Sequence, residues 1–182
     1  MRVIAGAYKG RRLNAPSWSG LRPTSDKLRE TIFNILAPRV AGARVLDAYA
    51  GTGALGIEAL SRGAREATFV ERDRRAQALI EENLARCGIV NGYVIIRASV
   101  ARALETWRGR PGDRFDIVLL DPPYDTPAEE ILAAAGEATA DDGVVVLEHA
   151  RRRSTPARAG RLARTREVIA GDSALAFYAC QP

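Results

Sequence analysis

The stretch DAYAGTGALG, residues 47–56, connects an apolar run to a helical pattern. Gly51 and Gly53 allow a tight turn in which the backbone can approach a ligand closely, and Gly56 allows the helix to pack near the strand. A strand, a glycine loop and a helix in this order predict the first βα unit of an open sheet that binds a nucleoside cofactor.

Strand and helix patterns alternate along the rest of the chain. Apolar runs predict strands at residues 44–48, 67–71, 93–97, 115–120 and 143–148, and helical spacing predicts helices at residues 54–62, 74–87, 100–108 and 128–138. Two further strand-like runs, residues 162–169 and 174–180, flank the turn-forming residues 170–173 and predict an antiparallel hairpin. The pattern therefore predicts an α/β fold, a Rossmann-like, doubly wound and mostly parallel sheet of seven strands with helices on both faces.

The N-terminal part of the chain has a different pattern. Residues 2–5 and 11–15 flank glycines and predict a short hairpin. Apolar residues at helical spacing then predict a helix over residues 25–36, which Pro38 ends. We therefore divide the chain into a basic hairpin-and-helix extension, residues 1–40, and a sheet domain, residues 41–182.

The composition excludes several classes of protein. The 182 residues contain no run of about 18 apolar residues and begin without the apolar core of a signal peptide, so we expect a cytoplasmic protein without a membrane span. Cys87, Cys180 and His149 are too few for a disulfide framework or a Cys/His zinc site, and we expect no metal. We interpret the two thiols as buried and free, and His149 as a strand-end residue. We also expect a monomer.

The net charge of +5 is unevenly distributed. Residues 1–44 carry nine Lys/Arg and two acidic residues, residues 45–150 carry eleven and eighteen, and residues 151–182 carry seven and two. Both ends are therefore basic, and the middle is acidic. Such segregation predicts a polyanionic partner, for which nucleic acid is the natural candidate, although a solvated Arg-rich surface would give the same counts.

The glycine loop suits two cofactors, NAD and S-adenosylmethionine. NAD would bring a pyrophosphate to the helix N-terminus, where the carboxylate of Asp47 raises its electrostatic cost. S-adenosylmethionine carries an ammonium and a sulfonium, which an acidic strand end favours. Glu71, at the tip of the second strand, can accept hydrogen bonds from both ribose hydroxyls of either cofactor. Ser99 either caps the helix that follows it or contacts the cofactor.

The stretch DPPY, residues 121–124, directly follows a predicted strand. Its prolines fix their own φ and constrain the preceding residues, so the carboxylate of Asp121 and the carbonyl of Pro122 are held in defined directions. These oxygens can accept both N–H groups of a planar exocyclic amine while the Tyr124 ring stacks on the heterocycle. An ordinary turn is the alternative. The position of the turn after the glycine loop favours methyl transfer to an amine nitrogen.

With Asp47, the glycine loop, Glu71 and the DPPY turn, the chain resembles class I S-adenosylmethionine-dependent methyltransferases that act on an exocyclic nitrogen. Two N-terminal stretches, RVIAGAYKGRRL at residues 2–13 and GLRPTSDKLRETIFNIL at residues 20–36, resemble the signature of one family. This is the RsmD family of bacterial 16S rRNA guanine-N2 methyltransferases. The similarity extends from about Arg2 to the C-terminal hairpin.

The resemblance implies methyl transfer from S-adenosylmethionine to the N2 amine of guanine 966 of 16S rRNA, within an assembling 30S subunit. It implies that Asp121, Pro122 and Tyr124 are catalytic contacts to the target base. The cofactor contacts that we predict are Asp47, Tyr49, Gly51, Thr52, Gly53, Glu71 and Ser99. The RNA contacts that we predict are Arg2, Lys9, Arg11, Arg12, Arg22, Thr24 and Arg29.

Other functions stay open at this point. The DPPY turn recognises an amine and not a whole base, so adenine N6 of DNA or RNA, or a protein, is an alternative acceptor. A catalytically silent RNA-binding assembly factor and an NAD oxidoreductase are two further alternatives. Residues 151–166, with seven arginines and no acidic residue, are either a second phosphate contact or a solvated loop.

Overall fold

The chain is built around one mixed sheet. The computed structural model describes residues 1–18, 24–123 and 125–181. Within these residues the sheet has eight strands in the order β3-β2-β1-β4-β5-β8-β7-β6. The strands are β1 (Arg44–Asp47), β2 (Glu66–Val70), β3 (Tyr93–Ile96), β4 (Phe115–Leu120), β5 (Thr139–Ala150), β6 (Arg158–Ala159), β7 (Leu162–Ala170) and β8 (Ser173–Cys180).

The sheet is doubly wound, as the sequence predicts. Strands β1 to β5 are parallel, and β8, β7 and β6 add an antiparallel edge beyond β5. The chain moves outward from β1 to β3 and then returns to the other side of β1 with β4. Loops at the carboxyl ends of β1 and β4 therefore leave in opposite directions, which opens the crevice where such sheets bind ligands.

Helices cover both faces of the sheet. They are α1 (Asp26–Val40), α2 (Ala54–Ser61), α3 (Arg74–Cys87), α4 (Val100–Glu105) and α5 (Ala128–Ala138). Helices α1 to α3 pack on one face, and α4 and α5 pack on the other, where Leu104 and Leu132 meet Leu120 and Leu147. None of the helices in the described ranges is long and apolar enough to cross a membrane.

Four element predictions were wrong in detail. Helix α4 ends at Glu105 and not at residue 108. Helix α1 continues through Pro38 to Val40, because Val40 is buried in the core and Pro38 removes only one bond of the last turn. The described sheet has eight strands and not seven, because Ala159 and Leu162 bury against α5 and bring β6 alongside β7. Strand β5 begins at Thr139, and the shift in register after Phe115 accommodates the extra residues.

The N-terminal arm, residues 1–18, contains the predicted hairpin in a short form. Arg2 and Arg12 make a single antiparallel bridge, and the Val3 N–H donates to the Arg11 carbonyl at 2.9 Å. Val3 and Leu13 are buried among side chains of α2 and α3. The arm therefore packs on the helices that follow β1 and β2.

A buried carboxylate on α2 binds the backbone of the arm. Glu58 is 0% exposed, and its two oxygens accept hydrogen bonds from the N–H groups of Ile4 at 2.8 Å and Ala5 at 3.0 Å. Arg62 donates to the same carboxylate at 2.7 Å. Breaking a buried ion pair costs about 3–5 kcal/mol, because it leaves a buried charge without a partner. The arm supplies hydrogen-bond donors to the buried carboxylate of Glu58, so α2 and the arm stabilise each other.

Gly6 lets the arm approach α2 closely. Its φ is +83°, and a Cβ added there would lie 1.8 Å from the Ser61 carbonyl oxygen. The same carbonyl accepts the Ala7 N–H at 2.7 Å, and the Ser61 hydroxyl accepts the Tyr8 N–H at 3.0 Å. Only glycine leaves room for these contacts.

We expect Gly6→Ala to displace the arm from α2. Gly10→Ala is a matched control, because Gly10 has the same φ of +83° but no atom within 4 Å of the added Cβ. The free energy of unfolding should fall by roughly 1–3 kcal/mol more for Gly6→Ala than for Gly10→Ala. Urea denaturation measures this difference, and limited trypsinolysis at Lys9 and Arg11 should be faster in Gly6→Ala. Equal losses in the two variants would contradict the close approach.

Candidate active site

The glycine loop is fixed by a carboxylate at the end of β1. Gly51 and Gly53 have φ of 53° and 75°, which favour glycine, and Gly53 is the N-cap of α2. Asp47 Oδ2 accepts a hydrogen bond from the Gly56 N–H at 2.9 Å. A Cβ on Gly56 would lie 2.3 Å from the Phe69 ring, so glycine is needed there for α2 to pack on β2.

Asp47 is a buried carboxyl group with a perturbed pKa. The residue is 1% exposed. Burial raises its pKa to about 7, the Gly56 hydrogen bond lowers it, and the charge of Glu71 raises it. The acidic strand end that the sequence predicts is therefore present, and it is already bonded to the N-terminus of α2.

Glu71 follows β2 and joins the loop to that strand. Its Oε2 accepts the Gly51 N–H at 3.0 Å, and its Oε1 accepts the Asp73 N–H at 2.8 Å. Each carboxylate oxygen can accept a further hydrogen bond. Glu71 thus lies beside the glycine loop, where the sequence places a ribose contact.

The other three predicted cofactor contacts differ in their surroundings. Tyr49 is half-buried, and burial raises its pKa, while a hydrogen bond to Thr126 lowers it. Thr52 is buried, and its hydroxyl lies 4.0 Å from the Met1 sulfur. Ser99 is exposed and caps α4 by accepting the Arg102 N–H at 3.3 Å. The capping role that the sequence left open for Ser99 is therefore present.

A buried asparagine connects the arm to the glycine loop. Asn83, on α3, is 0% exposed and donates to the Thr52 carbonyl at 2.9 Å. Its side chain also accepts the Asn14 N–H at 2.7 Å and donates to the Asn14 carbonyl at 3.2 Å. Sequence reasoning missed Asn83, because its partners are 31 and 69 residues away in the chain.

The DPP turn lies next to the glycine loop at the carboxyl edge of the sheet. Asp121 follows β4, is partly exposed, and accepts a hydrogen bond on Oδ2 from the Thr24 hydroxyl at 3.4 Å. No N–H among the described residues donates to the Pro122 carbonyl. The catalytic prediction for Tyr124 falls on a residue outside the described ranges. Asp121 and Pro122 therefore offer two oxygens at this edge.

Burial and neighbouring carboxylates both raise the pKa of Asp121. Burial raises its pKa to about 7, the charges of Glu148 and Asp47 raise it as well, and the Thr24 hydrogen bond lowers it. Glu148 lies on β5, next to β4, and accepts a hydrogen bond from the Ser173 hydroxyl at 3.0 Å. The sequence did not single out Glu148, because a glutamate near a strand end reads as a solvated residue.

The predicted RNA contacts separate into exposed and buried residues. Four of them are exposed on the arm: Arg2, Lys9, Arg11 and Arg12. Arg29 is 0% exposed, and its guanidinium donates to the Arg2 carbonyl at 2.7 Å and to Asp26 at 2.6 Å. Arg29 therefore holds the arm against α1 and cannot face a polyanion. Thr24 lies beside Asp121, and Arg22 is outside the described ranges.

The arginines of residues 151–166 are likewise of two kinds, exposed ones and ones that are paired within the protein. Arg151, Arg152 and Arg153 form an exposed turn directly after β5, at the same sheet edge as Asp121. By contrast, Arg161 pairs with Asp141, and Arg164 donates to the Thr155 carbonyl at 3.1 Å and hydroxyl at 2.9 Å. The exposed turn, residues 151–153, is therefore a part of this segment that a partner can reach, and Arg158 and Arg166 further along it are exposed as well.

Cys87, Cys180 and His149, which the sequence analysis does not place in the site, lie in the core or on a strand. Cys87 is buried, Cys180 is half-buried, and both are free. His149 lies on β5 with its Nε2 3.3 Å from Glu167. The interpretation of these three residues is confirmed except that Cys180 is not fully buried.

The sheet order, the glycine loop at the crevice and the DPP turn beside it are those of a Rossmann-like class I methyltransferase. Comparisons with known proteins agree. The solved structure of the Escherichia coli protein yhhF has a TM-score of 0.84 at 34% identity and covers 100% of this chain and 99% of its own. The chain is therefore a methyltransferase by fold and by relationship.

The family described as conserved hypothetical protein 95 matches residues 1–179, and the chain belongs to this family. Over 181 residues it is 39% identical to YlbH of Bacillus subtilis, with 98% of both chains covered. Over 181 residues it is 37% identical to the ribosomal RNA small subunit methyltransferase D of Escherichia coli, with 98% of this chain and 89% of the relative covered. The resemblance to the RsmD family is confirmed.

We expect Asp121→Asn to remove a pH-dependent loss of stability. The raised pKa means that the folded protein keeps a proton on Asp121 which the unfolded chain releases above pH 3.8. The protonated Asp121 therefore contributes to the free energy of unfolding at low pH, and this contribution is lost as the pH rises through about 7. At pH 8 the variant should be more stable than the native protein by about 1–2 kcal/mol, since Asp121 is only partly buried. The difference should vanish near pH 4.

Urea denaturation at pH 5 and pH 8 measures the effect. Asp142→Asn is the control, because Asp142 is an exposed carboxylate. If Asp121→Asn showed the same pH dependence as the native protein, the perturbed pKa would be refuted.

Proposed function

We propose that the protein transfers a methyl group from S-adenosylmethionine to the N2 amine of a guanine in bacterial 16S rRNA, guanine 966, within an assembling 30S subunit. The main support is the placement of Asp121 and Pro122 at the end of β4, beside β1 and its glycine loop. The name of the Escherichia coli relative supports the RNA class. We infer that the protein acts in the bacterial cytoplasm as a monomer that uses no metal.

The residues at the end of β1 fit S-adenosylmethionine better than NAD. The Gly56 N–H at the N-terminus of α2 already bonds the Asp47 carboxylate, so a pyrophosphate would meet a second anionic group there. The acidic residues at the ends of the first two strands, Asp47 and Glu71, would instead favour the ammonium and sulfonium that S-adenosylmethionine carries. We assign the ribose hydroxyls to Glu71 and further contacts to Tyr49, Gly51, Thr52, Gly53 and Ser99.

When bound, S-adenosylmethionine supplies a methyl group whose C–S bond breaks as the N2 lone pair forms the new C–N bond, and the bond pair stays on sulfur. The chain contributes positioning and electrostatics. The Asp121 carboxylate and the Pro122 carbonyl accept hydrogen bonds from the two N–H groups of the amine. These two hydrogen bonds direct the nitrogen lone pair away from the ring. Asp121 stabilises the positive charge that develops on N2 and accepts the proton that N2 loses. We assign stacking of the base to Tyr124.

The RNA is held by basic groups on both sides of this crevice. On the arm these are Arg2, Lys9, Arg11 and Arg12, with Arg22 beyond the described ranges. The turn at residues 151–153 lies on the other side, after β5. We propose that residues 1–40 are the RNA-facing extension of a methyltransferase domain, residues 41–182, with which α1 shares a core. We place Thr24 in the pocket with Asp121 and leave Arg29 out of the RNA surface.

Methyl transfer to small-subunit particles from a strain lacking this gene tests the proposal. With tritiated S-adenosylmethionine, label should appear in N2-methylguanosine of 16S rRNA. Asp121→Ala should lower the rate by at least about 100-fold and leave cofactor affinity largely unchanged, because it removes a group that acts on the transition state. Asp125→Ala, an exposed carboxylate four residues further on in the same loop region, is the control and should keep activity.

Each contrary result identifies a rival function. Label in N6-methyladenosine or in protein would refute the guanine assignment. Cofactor binding without any label would indicate a silent assembly factor. Full activity of Asp121→Ala would refute the proposed role of the carboxylate.

Replacing Arg151, Arg152 and Arg153 together by Ala should weaken RNA binding and reduce its salt dependence. Three lost phosphate contacts should lower the slope of log K against log salt by about 2. Filter binding over a range of salt concentrations measures the slope. Arg102, Arg108 and Arg110, exposed in and just after α4, provide a control triple of equal charge. An unchanged slope in the first triple would exclude the turn from the RNA surface.

A further inference from the structure

A DPP turn recognises an amine but does not identify the base that carries it. Asp121 and Pro122 offer acceptors for the two N–H bonds of an amine, and both guanine N2 and adenine N6 carry such a pair. The atom next to the amine differs. Guanine has a donor, N1–H, beside N2, whereas adenine has an unprotonated acceptor, N1, beside N6. A further acceptor next to Asp121 would therefore distinguish the two bases.

Glu148 is the carboxylate in that position. Leu120 and Leu147 lie opposite each other in the parallel pair β4 and β5, so the residues that follow them, Asp121 and Glu148, are neighbours at the carboxyl edge. The charge of Glu148 acts on Asp121.

The two carboxylates project to the same face of the sheet. Leu119 and Val146 pack in the core beneath α1, and side chains two residues further along a strand point to the same side. The Thr24 hydroxyl, just before α1, confirms this direction for Asp121. The Ser173 hydroxyl bonds Glu148 Oε1 at 3.0 Å and thereby restricts the Glu148 side chain.

We propose that Glu148 is a specificity-determining residue that accepts the N1–H of the target guanine while Asp121 and Pro122 hold its N2 amine. This inference rests on the proposed function. Guanine then presents three N–H donors to three acceptors. Adenine, or any base with an unprotonated N1, would place a lone pair against the Glu148 carboxylate and leave that carboxylate without its hydrogen bond. A site that hydrogen-bonds an N–H group of its substrate strongly rejects an analogue that lacks this group.

A substrate that keeps the amine and loses N1–H tests the inference. Small-subunit particles are reconstituted with semi-synthetic 16S rRNA that carries either guanine or 2-aminopurine at the methylated position. The native enzyme should prefer guanine by about 100-fold in kcat/KM. Glu148→Gln should lower this preference by roughly 10-fold or more, since its amide can donate to an unprotonated N1. Removing one of two adjacent carboxylates should not weaken folding, which a melting curve checks.

Glu167→Gln is the matched control, because it removes one carboxylate from β7, outside the pocket, and it should keep the native preference. An unchanged preference in Glu148→Gln, or an equal loss on both substrates, would overturn the inference. If Glu148→Gln is too slow to measure, Ser173→Ala replaces it and must lower the same ratio, and an unchanged ratio there would also overturn it. Failure of the native enzyme to methylate guanine would instead refute the proposed function.

Discussion

The bond between the Asp47 carboxylate and the Gly56 N–H is the constraint on which the active site depends. It closes the turn between the central strand β1 and α2, and it does so with a carboxyl group that is 1% exposed. Glu71 then bonds the Gly51 N–H from the next strand, so the glycine loop is held from two sides. The crevice is therefore lined by carboxylates whose positions are set by backbone bonds before any ligand binds.

The N-terminal arm belongs to this arrangement. Glu58 and Ser61 on α2 bind its backbone, and Asn83 on α3 joins its far end to the Thr52 carbonyl of the glycine loop. Arg29, from α1, bonds the Arg2 carbonyl. The hydrogen bonds between the arm and the helices thus mostly use backbone groups of the arm, and its basic residues Arg2, Lys9, Arg11 and Arg12 stay exposed. The same segment can therefore hold the glycine loop and present basic side chains at the surface.

Charge is separated over a short distance in this protein. Asp47, Asp121 and Glu148 lie at the carboxyl edge of the sheet, where burial and the charges of Glu148 and Asp47 raise the pKa of Asp121. Exposed arginines occupy the arm and the turn after β5. An acidic crevice favours a cationic cofactor and an N–H-rich base edge, and basic margins favour the phosphates that carry the base. Close carboxylates cost stability, which is typical of sites arranged for function rather than for folding.

The sequence alone determined the order of the elements, because periodicity and glycine position are local properties of the chain. Helices α3 and α5 and strand β4 have the predicted bounds, and Asp47, Glu71 and Asp121 lie at the predicted strand ends. The roles of Glu58, Asn83 and Arg29 could not be predicted in this way. An i, i+4 pair such as Glu58 and Arg62 has the sequence spacing of a surface pair, and burial appears only when the arm covers it. The tertiary structure decided which polar side chains are enclosed and which carboxylates meet, because both depend on segments far apart in the chain.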